Sequence, residues 1–169
     1  HHGQVLNQSE LGRAFGVAHT TIRNYIDILA STYVVRQLPA WFENLSKRQV
    51  KAPKVYLTDT GILHALLNIT HLEDLLSHPK VGASWEGFAM DAVLWARGAD
   101  TEDAYFWATH SGAELDLVIV KGLEKEGFEF KRTSTPKRTR SMTSALESLN
   151  LNHIDVVYPG KDNYPLAER

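Results

Sequence analysis

Two short stretches, Glu114-Leu115-Asp116 and Glu129-Phe130-Lys131, constrain the fold of this chain more than anything else in it. Each alternates charged with apolar residues, the period of a β-strand and not of a helix. On strands, the acidic groups take one face while Leu115, Leu117 and Ile119, or Phe128 and Phe130, take the other. A hairpin turning through Gly122 to Gly127 would bring Asp116, Glu129 and Lys131 to one end of a sheet. Two carboxylates beside an ammonium group suit a hard divalent cation and an activated water.

A chain of 169 residues forms one ordinary domain or two small ones, and 43% hydrophobic with 22% charged residues is the balance of a soluble globular protein. No apolar run approaches a membrane span, and His1-His2-Gly3-Gln4 lacks the basic-then-apolar pattern of a secretion signal. The expected compartment is the cytoplasm, with no membrane partner. Because cysteine is absent, disulfides, thiolate zinc sites and cysteine nucleophiles are excluded together. Any metal must be held by oxygen or imidazole. A formal charge of −2 gives no global attraction to nucleic acid, so DNA contact would rest on local patches. His1 and His2 read as a tag remnant and are assigned no role.

The two halves follow different patterns. In the first, Ser9 is placed to cap a helix from Glu10 to Phe15, Gly16 supplies the break, and a second helix runs from about His19 to Ala30. Its apolar stripe is Ile22, Tyr25, Ile26 and Leu29. Tyr33 to Leu38 and Lys54-Val55-Tyr56-Leu57 read as paired strands. Helix, turn, helix and a two-stranded wing resemble a winged helix-turn-helix domain over residues 1–61. Ile62 to Leu67 and Leu72 to Leu76 make a helical connector over residues 62–80.

From residue 81 the order becomes αβββαβ. Ser84 is placed to cap a helix whose buried face is Trp85, Phe88, Ala89, Ala92, Val93 and Ala96, ending at Gly98. Strands follow at Ala104 to Ala108, Glu114 to Val120 and Phe128 to Arg132, then a helix near Met142 to Leu149 and a last strand at His153 to Tyr158. The fold class is therefore α/β (α+β).

With Glu86 on the first helix, Asp116 on the second strand and Glu129-x-Lys131 on the third, residues 81–169 resemble the PD-(D/E)XK nuclease superfamily. The resemblance implies a restriction-endonuclease-like domain with a mixed central sheet. It also implies Mg²⁺ or Mn²⁺ held by Glu86, Asp116, Glu129 and the Phe130 backbone carbonyl, with Lys131 positioning the attacking water for phosphodiester hydrolysis. Glu114 would be a further ligand or an outer partner. Each piece has a plainer reading: Glu86 suits the first turn of any helix, and Glu-x-Lys is common on a solvated strand face. Glu114 and Asp116 differ, because like charges at alternate positions on one face repel and a cation relieves the repulsion.

The whole chain is also similar to the C-terminal region of predicted bacterial and archaeal AAA-type ATPases, a region usually classed as a domain of unknown function. Gly3-Gln4-Val5-Leu6-Asn7 with Ser9-Glu10-Leu11, Lys54 through Gly61, Trp85-Glu86-Gly87 and Glu114-Leu115-Asp116 carry the likeness. No Gly-x-x-x-x-Gly-Lys-Ser/Thr loop exists here, so ATPase activity is not expected of these residues. The ATPase domain would be a partner within the same parent protein.

For DNA, the second helix would offer Thr20, Thr21, Arg23 and Asn24, and the wing Lys47, Arg48, Lys51 and Lys54, with Arg132 beside the nuclease-like centre. Against this, winged helices also dock proteins, and Asp27 on the same helix repels phosphate. Lys137, Arg138 and Arg140 read as solvated surface, and His110 and Ser111 as polar loop residues. Trp41, Trp95 and Trp107 read as core or interface aromatics. Two functions remain in view: a metal-dependent nuclease-like module, or a non-catalytic DNA- or protein-binding regulatory domain.

Overall fold

A computed structural model describes residues 1–42 and 50–166 of the chain. Among them it has six α-helices and two sheets, one of four strands and mixed. The chain divides into two compact units, His1–Leu38 with Ala52–Gly87, and Pro39–Lys51 with Phe88–Arg169.

The first unit holds β1 (Gln4–Val5), α1 (Gln8–Phe15), α2 (His19–Ser31), β2 (Val35–Leu38), β3 (Lys54–Leu57), α3 (Thr60–Leu66) and α4 (Leu72–Ser77). Its three strands are antiparallel in the order β1-β3-β2, and Leu6, Val35 and Val55 form a small core completed by Leu11 and Ile26. Asn7, not Ser9, caps α1, its side-chain oxygen accepting from the Glu10 amide at 3.1 Å. Gly16 closes α1 at φ 67° as expected. Gly12 is required by close approach, since a Cβ there would lie 2.8 Å from the Val17 carbonyl oxygen. On α2, Ile22 is buried and Ile26 half-buried, but Tyr25 and Leu29 of the expected stripe are exposed.

Helix α5 (Val81–Arg97) begins three residues before the expected cap, so Ser84 lies inside it. Its buried apolar side chains are Ala89, Met90 and Leu94, whereas Phe88 is 57% and Trp95 88% exposed. The expected face was out of phase because apolar residues surround this helix on every side, leaving periodicity little to choose between. Gly98 ends it at φ 55°, and Lys121 Nζ donates to the last carbonyls of Arg97 (3.0 Å) and Gly98 (2.7 Å).

The second unit continues through a 3₁₀ turn at Thr101–Asp103, then β4 (Ala104–Ala108), β5 (Glu114–Lys121), β6 (Glu124–Phe130), α6 (Arg140–Leu149) and β7 (Ile154–Val157). Strand order is β4-β5-β6-β7, the first three antiparallel and β7 parallel to β6 after the α6 crossover. Pro39 and Trp41 cover the outer edge of β4, with the Trp41 amide donating to the Phe106 carbonyl at 2.7 Å. Trp107, Leu115, Val118, Ala145 and Leu149 form one core cluster. Leu115 and Val118 share it although three positions apart. The reason is a register shift between Tyr105 and Trp107, which sets Asp116 and Leu117 against one β4 residue and breaks strict alternation there. Leu115 therefore does not share a face with Leu117 and Ile119 as the simple pattern predicts.

No helix among the described residues is long and apolar enough to cross a membrane.

Candidate functional site

Where the start of β5 meets the end of β6, the antiparallel pairing of the strands brings three of the expected residues together. Asp116 Oδ2 accepts from the Phe130 amide at 2.9 Å, so its carboxylate is anchored in the middle of Glu129-Phe130-Lys131. Glu129 is only 5% exposed, and Lys131 Nζ lies 2.5 Å from its Oε1. The Lys131 side chain is about one-third exposed, and its amide donates to the Val157 carbonyl of β7 at 2.9 Å. Burial of Glu129 removes the reading of Glu-x-Lys as a solvated face. A buried carboxylate is costly unless compensated, and an ammonium at contact distance compensates it. Glu114 is half-buried at the start of β5. In the adjoining loop, the buried Thr109 hydroxyl bonds Ser111 at 2.9 Å and His110 is exposed.

Glu86 belongs to the first unit, and its surroundings there were not legible in the sequence. Its Oε1 accepts from Lys54 Nζ at 3.0 Å and from the Tyr56 hydroxyl in a very short hydrogen bond. The Lys54 side chain is 5% and that of Glu86 18% exposed. Lys54 was expected to meet phosphate from the wing; it is buried and ion-paired instead, because alternation along β3 puts it with Tyr56 on the face turned to α5. His2 is likewise no passive remnant. It is 7% exposed, its Nδ1 accepts from the Leu57 amide at 3.0 Å, and its Nε2–H is set to donate to the Ala83 carbonyl at 3.1 Å. Burial is the main cause of a His2 pKa below the ordinary 6.5. A Cβ at Gly87 would come within 3.1 Å of that Nε2, so glycine makes room for the ring. His64 Nε2 and the buried Ser84 hydroxyl lie 2.7 Å apart in the same unit.

Among the remaining candidates for nucleic-acid contact, Thr20, Arg23, Asn24, Lys51 and Arg132 are exposed and Thr21 is half-buried. Arg23 faces Asp27 at 3.8 Å, and Asp27 also accepts from Gln37 at 3.1 Å, which moderates its repulsion of phosphate. Lys47 and Arg48 lie outside the described residues. Trp107 is fully buried and Trp41 packs edge-on against Tyr105, but the exposed Trp95 is no core residue.

The donor set of Asp116, Glu129 and the Phe130 carbonyl is hard oxygen throughout, the chemistry of Mg²⁺ or Mn²⁺. Among the described residues, no group of three or more acidic or imidazole side chains is gathered as a metal cage. Mg²⁺ commonly uses one or two carboxylates and completes its shell with water and phosphate, so a two-carboxylate set fits it.

Together these features define a two-unit α/β protein with an acidic and basic cluster, built around the buried Glu129, at one end of a mixed sheet. The chain belongs to the family described as Domain of unknown function (DUF4143), matched over residues 81–169, and residues 1–73 match Domain of unknown function (DUF8612). The former is typically found with AAA ATPases. The chain is similar, at 46% identity over 168 residues, to Uncharacterized protein Rv2008c of Mycobacterium tuberculosis and Uncharacterized protein Mb2031c of Mycobacterium bovis. The match covers 99% of this chain and 38% of each relative, so the chain spans about two fifths of the length of these curated relatives. No solved structure matches it.

Proposed function

We propose that the second unit is a PD-(D/E)XK nuclease-like module that hydrolyses phosphodiester bonds in DNA, within a protein whose ATPase domain lies outside these residues. The observation that carries this reading is the burial of Glu129 at 5% exposure against Lys131, with Asp116 anchored to the amide between them. The αβββαβ order and the parallel β6-α6-β7 return agree with that fold.

Asp116, Glu129 and the Phe130 carbonyl would hold the divalent cation. When bound, it would supply charge neutralisation at the phosphate and lower the pKa of water. Asp116 is held in place by the Phe130 amide and needs little reorganisation. Lys131 sets a positive charge where negative charge develops on the phosphate, and the adjacent Glu129 keeps that ammonium in position. Residues 1–61 form a winged helix in this reading, with Thr20, Thr21, Arg23, Asn24 and Lys51 as its DNA-facing groups.

Purified protein incubated with linear, nicked and branched DNA in Mg²⁺ or Mn²⁺, beside Asp116→Ala, tests the proposal. Products from the wild type alone support it; equal products from both proteins refute it. A second reading, a non-catalytic regulatory domain of an AAA-type ATPase, is favoured by the engagement of Glu86 with Lys54 and Tyr56. It predicts DNA or protein binding without cleavage.

A further inference from the structure

A groove of about 1140 Å³ runs through the second unit between α6, β7 and the segment that follows β7. We infer that it is a channel for single-stranded nucleic acid leading to the Asp116, Glu129 and Lys131 cluster, an inference that rests on the proposed function.

Position comes first. Val157, whose carbonyl receives the Lys131 amide at 2.9 Å, is followed directly by Tyr158, which lines the groove. Pro136 and Arg138 line it too, on the loop that leaves Lys131 and Arg132. The groove is thus joined to the candidate centre through the β6–β7 backbone and this loop, although the Asp116, Glu129 and Lys131 side chains are not among its lining. The groove is partly open to solvent, a shape that admits a polymer segment.

Chemistry selects the polymer. Tyr158 and Tyr164 meet edge-to-face with centroids 5.9 Å apart and planes at 76°, and Tyr164 remains 41% exposed. The Tyr158 hydroxyl donates to the Asp162 carbonyl at 2.7 Å, folding the terminal segment so that the second tyrosine stands at the groove. Exposed aromatic rings stack on unpaired bases, and duplex bases are not available to them. Arg138, whose Nε donates to the Thr143 hydroxyl at 3.2 Å, supplies positive charge in the lining, with Arg132 and Lys137 exposed on the same loop and Arg140 exposed at the start of α6 for the backbone. Of the two acids in the lining, Asp155 is countered by Arg97 at 3.1 Å and faces His153 at 3.8 Å. Asp162 is the acid that opposes a phosphate chain, which places the backbone on the Arg138 side.

The test is fluorescence anisotropy of the full chain with a labelled oligothymidylate and with a hairpin duplex, both in EDTA so that no cleavage occurs. Wild type, Tyr164→Ala and Arg138→Gln are compared, with circular dichroism to verify folding. Tyr164→Ala is expected to weaken single-strand binding about fivefold or more. Arg138→Gln is expected to flatten its salt dependence, and both variants should leave duplex binding unchanged. No binding of the oligothymidylate by wild type, unchanged single-strand affinity in both variants, or an equal loss on duplex overturns the inference. Because the readout needs neither metal nor turnover, an inactive protein that still loses single-strand affinity in these variants sinks the proposed function and leaves the channel standing.

Discussion

Lys54 and Glu86 show how far one residue's meaning depends on what packs against it. A lysine on a wing strand reads as a phosphate contact, and a glutamate early in a helix reads as either a metal ligand or a dipole partner; the structure makes them one buried ion pair at 3.0 Å with Tyr56 on the same oxygen. Removing one member of such a pair leaves a charge without compensation. Lys54→Ala should lower unfolding free energy by about 3 kcal/mol in urea titrations. A loss within experimental error would show the pair to be a surface interaction. The clue available in the sequence was the lysine two positions before Tyr56 on a short strand, a placement that commits both to one face. Which face met α5 was a tertiary fact. His2 makes the same point, since nothing near it in sequence announces the Leu57 amide and Ala83 carbonyl that hold its ring.

At the scale of elements, most of what the chain forms was legible and the phases were less so. The strand Glu114–Lys121, the α6 crossover and the final strand follow from alternation, glycine punctuation and apolar spacing, but β6 (Glu124–Phe130) begins inside the turn expected at Gly122 to Gly127, with Gly127 paired to Val118 in mid-strand. Alternation failed at Asp116 and Leu117, where the register shift turns Leu115 toward Val118 and the α6 core. That irregularity lies beside the carboxylate of greatest interest, in keeping with the habit of bulges to re-aim side chains. The phase of α5 is open to direct measurement. Met90 is fully buried and Phe88 is 57% exposed, so Met90→Ala should cost about 2–4 kcal/mol and Phe88→Ala about 0.5 kcal/mol or less. The reverse order would restore the face read from sequence.

For the whole molecule, stability should depend on pH through His2. Its folded pKa lies below the ordinary 6.5 because burial disfavours the charged ring, and the Leu57 amide needs an unprotonated Nδ1. Below 6.5 the unfolded chain therefore binds more protons than the folded one. The His2 contribution is fully present above 6.5 and is lost as pH falls from there through the folded value. Thermal melts stepped downward through this range should show a falling midpoint in wild type and a shallower fall in His2→Gln. Equal slopes would assign the acid sensitivity elsewhere. The central proposal concerns the other unit: that Asp116, Glu129 and the Phe130 carbonyl hold a divalent cation beside Lys131, and that the cluster is not merely a structural ion pair. Calorimetric titration of Mn²⁺ into wild type, Asp116→Ala and Glu129→Gln decides between these most directly. The account predicts saturable binding to wild type that is lost in both variants, and identical heats in all three proteins would contradict it.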